Sequence, residues 1–217
     1  MKMWVVFSLD KRLRHIGHLD LMRAMQRALR RSGLPVRYSQ GYNPHILLSL
    51  AAPLSVGMAG EREVLEVPLS APCTQETFLQ ALNLALPPEI RCKACLIKPD
   101  ETAAPMAQLQ AAQYAAEFLE EADKVLAAVP TFLEKEQWMA VKRTKKGEKE
   151  FDLRPLVYNL LIKEGRLHMT LALSESGTAK PEAVLEALAQ LAETPVPRAI
   201  VTRTGLLGQN FSPLENA

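Results

Sequence analysis

Cysteine is scarce in this chain: Cys73, Cys92 and Cys95 are the only three in 217 residues. So small and odd a number excludes a disulfide framework as the source of stability. No apolar run approaches the roughly 18 to 20 residues that span a bilayer. The opening stretch from Met1 to Asp10 has too short an apolar segment, and no small-residue cleavage site, for a secretory signal. A cytoplasmic protein with no membrane partner is expected. Missing too are the patterns G-x-x-x-x-G-K-[ST], G-x-G-x-x-G and G-x-S-x-G, and the cysteine triplet of an iron–sulfur cluster. Nothing among the motifs therefore calls for a cofactor.

What is present is an ordinary globular composition, 48% hydrophobic and 23% charged. The length suits one large domain or two of about 100 residues each. Net charge is only +2, yet it is unevenly spread. Eight basic residues and one acid, Asp20, lie between Lys11 and Arg37, so that segment carries +7 and the remainder −5. Such asymmetry points to a localised anionic partner. Cys92-Lys93-Ala94-Cys95 is formally a C-x-x-C. It sits in the run from Ile90 to Ile97, which reads as a strand, where residues three apart point to opposite faces. The pair is therefore read as structural.

The periodicity alternates between strand and helix. Residues 2–8 form a buried strand. A helix begins near His18 with Asp20 in its first turn, and Gly33 and Pro35 close it. Leu19, Met22, Met25 or Gln26, and Leu29 are its expected buried stripe. Arg23, Arg27, Arg30 and Arg31 fall at i, i+4, i+7 and i+8 on an outer face, with almost no acidic partners at helical spacing. Residues 36–39 and 46–52 are candidate strands, 61–69 is a strand with acids outside, Thr74 caps the next helix, and 90–97 is a strand. After a linker at 98–105 the pattern restarts: strand character within 109–118, short helices at 120–126 and 132–136, strands at 138–143, 156–162 and 166–173, a helix at 181–191 and a strand at 199–206. The class is α+β: two tandem ferredoxin-like βαββαβ domains with antiparallel sheets, over residues 1–98 and 106–217.

Soon after the first helix comes Arg37-Tyr38-Ser39-Gln40-Gly41-Tyr42-Asn43-Pro44-His45. Turn formers alternate there with two aromatic faces and several directional hydrogen-bonding groups, the mixture of a ligand-facing loop. Arginine favours planar, bidentate pairing with phosphate. Arg12, Arg14, Arg23, Arg27, Arg30, Arg31 and Arg37, with Tyr42, Asn43 and His45, are thus candidate nucleic-acid contacts. A second cluster, Arg143, Lys145 and Lys146 at a hairpin tip with Arg154 beyond it, joins them. His45 and Tyr42 are the catalytic candidates, since 2′-hydroxyl cleavage of RNA needs only a base, an acid and cation support. His15 and His18 straddle Gly17 without local acidic or cysteine ligands, so no metal site is expected.

Two stretches carry a family resemblance. His18-Leu19-Asp20-Leu21-Met22-Arg23, followed by Arg27 to Pro35 and Tyr38 to His45, is similar to the N-terminal signature of the radical-SAM-linked family of uncharacterised bacterial proteins. Arg143 to Gly147 with Glu150-Phe151-Asp152-Leu153-Arg154-Pro155-Leu156 resembles its second signature. Ile46 to Ser49 depart from the family pattern, lacking the proline followed by lysine or arginine found there. Members occur fused to, or encoded beside, a radical-SAM enzyme. The resemblance therefore implies that enzyme as partner, and iron–sulfur chemistry that belongs to the partner. The expected function is a non-catalytic RNA-binding or substrate-recognition subunit. The alternatives are a metal-independent endoribonuclease, by fold-level resemblance to the CRISPR repeat-processing enzymes, and a protein-binding adaptor.

Overall fold

The computed structural model describes residues 1–144 and 147–216. Two compact units emerge, one of residues 1–109 together with 202 onward, the other Gln110–Val201. The expected boundary after residue 98 moves to 109. The expected second domain over 106–217 also loses its last stretch, because residues from 202 pack with the first unit.

The first unit begins with β1 (Lys2–Leu9), in which Met3 to Phe7 are all fully buried. The apolar run is continuous, not alternating, because both faces of this central strand are covered. Helix α1 (His18–Ser32) ends at Gly33, whose φ of +69° is the left-handed conformation that glycine adopts without strain. Then come β2 (Ser49–Leu50), β3 (Ala59–Pro68), α2 (Gln75–Ala85) and β4 (Ile90–Lys98). Strand β1 pairs antiparallel with β3 and β4, and β2 with β3, giving the order β4-β1-β3-β2. The Thr74 hydroxyl accepts from the Thr77 N–H at 3.2 Å, capping α2 as its sequence position predicts. The expected strands at 36–39 and 46–52 shrink to β2 and two isolated bridges, Val36 with Leu69 and Tyr38 with Ile46. Pro35, Pro44 and Pro53 supply no N–H to extend a ladder.

Two further expectations change. The buried residues of α1 are Leu21, Met25, Ala28 and Leu29, while Leu19 is 66% exposed. The arginines follow the buried set by two positions, and at about 100° per residue that turns them roughly 200° away from the core. Leu19 sits on their side. The other change concerns Cys92 and Cys95. A β-bulge interrupts the β1–β4 ladder, so that Phe7 pairs with Cys92, Val6 with Ala94 and Val5 with Cys95. The extra residue, Lys93, is taken up in the bulge, and the two cysteines come to lie on one face with their sulfurs 3.4 Å apart. Asn83 of α2 supports the bulge: its amide donates to the Cys92 carbonyl and accepts from the Cys92 N–H, both at 2.9 Å.

A buried ion pair closes this unit. Arg203 and Glu63 are each 2% exposed. The guanidinium reaches Glu63 from Nε at 2.9 Å, and also donates to the carbonyls of Ala52 (3.0 Å) and Pro53 (3.2 Å). Thr202 and Arg203 pair in parallel with Ala59 and Gly60. A Cβ at Gly60 would lie 2.7 Å from Glu63 Cγ, so the glycine is what lets the carboxylate pack there.

The second unit contains β5 (Ala111–Phe118), α3 (Asp123–Ala127), α4 (Val129–Leu133), β6 (Met139–Thr144), β7 (Gly147–Asp152), β8 (Val157–Lys163), β9 (Arg166–Ala172) and α5 (Pro181–Leu191), and then β10 (Ala199–Leu207) starts. Strand β9 pairs antiparallel with β5 and with β8. The Leu119 N–H donates to the Arg198 carbonyl at 2.9 Å, so β10 starts beside the end of β5. Strands β6 and β7 form a separate antiparallel hairpin. Phe132, Leu153, Leu167, Leu171, Val184 and Leu188 are fully buried and form the core. Among the described residues no helix is long and apolar enough to cross a membrane.

Candidate functional site

The loop after α1 is built by a short crossing of its two arms. Ser39 N–H donates to the His45 carbonyl at 2.8 Å, and Leu47 N–H to the Arg37 carbonyl at 2.9 Å. The Ser39 hydroxyl accepts from the His45 N–H at 3.1 Å and lies 2.9 Å from His45 Nδ1. Gly41 turns the tip with φ +119°, a conformation open to glycine alone without strain. Gln40 to His45 all stand exposed, and the Tyr42 ring is wholly free of protein cover. Since Nδ1 of His45 is engaged by Ser39, Nε2 is the ring nitrogen left to meet a ligand.

Helix α1 is tied to this loop. The Gln26 amide donates to the carbonyl of buried Ile46 at 3.2 Å. On the helix surface Gln26 has Arg23 and Arg30 as its i−3 and i+4 neighbours, so the loop lies beside the arginine face. The arginines are not equivalent. Arg23 pairs with Asp20 at 3.0 Å, an i−3 acid that fills the gap expected on that face. Arg31 donates to the Ala85 carbonyl at the end of α2 at 2.6 Å. Arg27 and Arg30 are exposed, and among the described residues they meet no ion-pair or hydrogen-bond partner.

The other N-terminal cations are partly engaged. Arg12 holds Asp10 at 3.0 Å and Glu89 at 3.5 Å. Its backbone and guanidinium hydrogen bonds keep the Asp10 carboxyl below the ordinary range. Arg14 donates to the Lys11 carbonyl at 2.9 Å. Arg37 donates to the Leu69 carbonyl at 2.7 Å and to Asp100 at 2.9 Å. Asp100 also takes the chain's amino terminus, and the two hydrogen bonds, the amino terminus first, hold its carboxyl low. His15 is exposed and His18 half-buried. Among the described residues no three His, Cys, Asp or Glu side chains converge as metal ligands would.

The second signature does something else in the second unit. Asp152 accepts from the Trp138 N–H at 3.0 Å and the Arg154 N–H at 3.1 Å, closing the base of the β6–β7 hairpin. Half-buried Arg154 donates to the carbonyls of Val157 and Leu133, each at 3.0 Å, and stands over the Phe132 ring. The Arg154 guanidinium therefore faces inward, toward the backbone. Arg143 is opposite Glu148 in the hairpin ladder; Lys145 and Lys146 lie outside the described residues. A cleft of about 630 Å³ between the hairpin and α5 carries Lys142 and Lys180 against Glu148, Glu182 and Glu186. That excess of acid makes it a poor seat for a polyanion, and leaves α1 and its loop as the candidate interface.

Ser39 and Gln26 are the site residues that sequence reasoning passed over. Ser39 had a signal, a hydroxyl one turn's width before His45; Gln26 had none, since its partner is a backbone carbonyl 20 residues away. Among known proteins, a family model described as an uncharacterized protein conserved in bacteria, DUF2344, matches residues 2–181. A search of curated proteins found no match.

Proposed function

Since the chain belongs to the DUF2344 family of proteins conserved in bacteria, and the match spans both the Arg37–His45 loop and the Asp152–Arg154 segment, we propose that it is a non-catalytic RNA-binding or substrate-recognition subunit working with a radical-SAM enzyme. One observation carries this reading: two exposed guanidiniums, Arg27 and Arg30, without partners among the described residues, stand on the helix that braces a loop presenting a bare tyrosine ring. Guanidiniums hold phosphates, and an exposed ring stacks an unpaired base. Arg23 joins them once it exchanges Asp20 for phosphate, and Asn43 and His45 Nε2 read base edges or sugar hydroxyls. The radical-SAM partner comes from the family resemblance. The same reading takes each unit as a ferredoxin-like domain. It is supported by the orders β4-β1-β3-β2 and β10-β5-β9-β8, with the β6–β7 hairpin as an insertion in the second.

Filter binding of single-stranded RNA across a salt series tests it. The expected affinity falls steeply with salt, and an absent or salt-indifferent affinity overturns the reading. A second reading, a metal-independent endoribonuclease, is favoured by the free Nε2 of His45 beside Tyr42 in the chain. It requires specific cleavage products that His45→Ala abolishes. Copurification with the radical-SAM protein after nuclease treatment, with no RNA affinity, would instead make the chain a protein-binding adaptor.

A further inference from the structure

Nothing in the RNA-binding reading uses Cys92 and Cys95, yet the fold places them together. In a regular strand their i, i+3 spacing would separate them. Here the bulge sets Cys92 opposite Phe7 and Cys95 opposite Val5. Phe7 and Val5 are two residues apart on β1, so their partners are about 6.7 Å apart along β4, at the upper end of the Cα range a disulfide accepts. The sulfurs already touch at 3.4 Å, and the two side chains are 5% and 7% exposed. Asn83 holds the bulge with its two hydrogen bonds.

We infer that Cys92 and Cys95 form a thiol–disulfide modification site, closing to an intrachain disulfide when the protein meets a small oxidant. With an azo oxidant such as diamide the step balances in two stages. One thiolate adds to a nitrogen of the N=N bond, which takes a proton on its other nitrogen. The second thiolate then attacks that sulfur, the S–S bond forms, and the S–N bond breaks with release of the hydrazine. The two thiols have lost two protons and two electrons, and the azo compound has gained both. The hydrogen bond with Cys92, and burial, push the Cys95 thiol well above the ordinary thiol range. Oxidation is consequently slow at neutral pH and quickens as pH rises.

The test uses the whole protein. It is treated with diamide, denatured, alkylated and digested with trypsin without reduction. Lys93 lies between the two cysteines, so cleavage there leaves the oxidised form as two peptides held by one crosslink that dithiothreitol releases. The expected result is that crosslink, with Cys73 alone alkylated, and the same yield from Cys73→Ser. Three alkylated cysteines, a crosslink that includes Cys73, or a yield lost in Cys73→Ser overturns the inference.

Discussion

Arginines that look alike in composition divide by what their guanidiniums meet. Arg27 and Arg30 face solvent without partners among the described residues, whereas Arg154 is directed at two carbonyls and a ring. Arg30→Ala should therefore reduce RNA affinity and flatten the salt dependence by about 0.7 in log–log slope, the loss of one phosphate contact on a single strand. Arg154→Ala should leave that slope unchanged and lower stability by about 1–3 kcal/mol in urea unfolding, since it strands two part-buried carbonyls. The Glu63–Arg203 pair is a different case again. Both charges are buried, and each would be left uncompensated by loss of the other. Glu63→Ala should cost about 3–5 kcal/mol, measured by the same unfolding curves.

Single elements depend on side chains that reach across from neighbours. At the bulge in the edge strand β4, Asn83 meets both the N–H and the carbonyl of Cys92. Asn83→Ala should cost about 1–3 kcal/mol in thermal or urea unfolding, more than an exposed helix position would. At the start of β10, Glu120 accepts from the Arg198 N–H at 2.7 Å and from its Nε at 3.0 Å, and these bonds hold the Glu120 carboxyl below its usual 4.5. A depressed folded value means that the contribution is fully present above pH 4.5 and is lost as pH falls through the lower folded value. Melting temperatures followed between pH 7 and 2.5 should show Glu120→Gln less stable than the parent at pH 7, with the difference closing on the acid side.

In the molecule as a whole, the first unit is completed by chain from its far end. Arg203 pairs with Glu63, Arg62 with buried Glu215, and Leu214 is fully buried. A chain cut after Val201 should lose the cooperative unfolding of the first unit, seen as a broadened or missing transition in calorimetry; an unchanged transition would refute this dependence. Of the candidate site, the loop and the arginine face were legible beforehand, because each announces itself locally through turn formers and helical spacing. The division of labour among the arginines was not. Whether a guanidinium meets a carbonyl or solvent depends on residues as distant as Ala85 from Arg31 and Asp100 from Arg37.

The sequence by itself determined most of the strands and helices, though not β7 (Gly147–Asp152), where it reads as a turn, nor the absence of a strand at 36–39. It also determined the cap at Thr74, the glycine stop of α1 and the cationic stretch beside a turn-rich loop. All of these follow from backbone preferences and periodicities a few residues long. Only the tertiary structure decided which stripe of α1 is buried, that Cys92 and Cys95 share a face, that Asp152 and Arg154 brace a hairpin, and that the chain's end returns to its beginning. Those outcomes rest on pairing register and on contacts between residues remote in sequence, where one extra residue in a ladder reverses which way a side chain points.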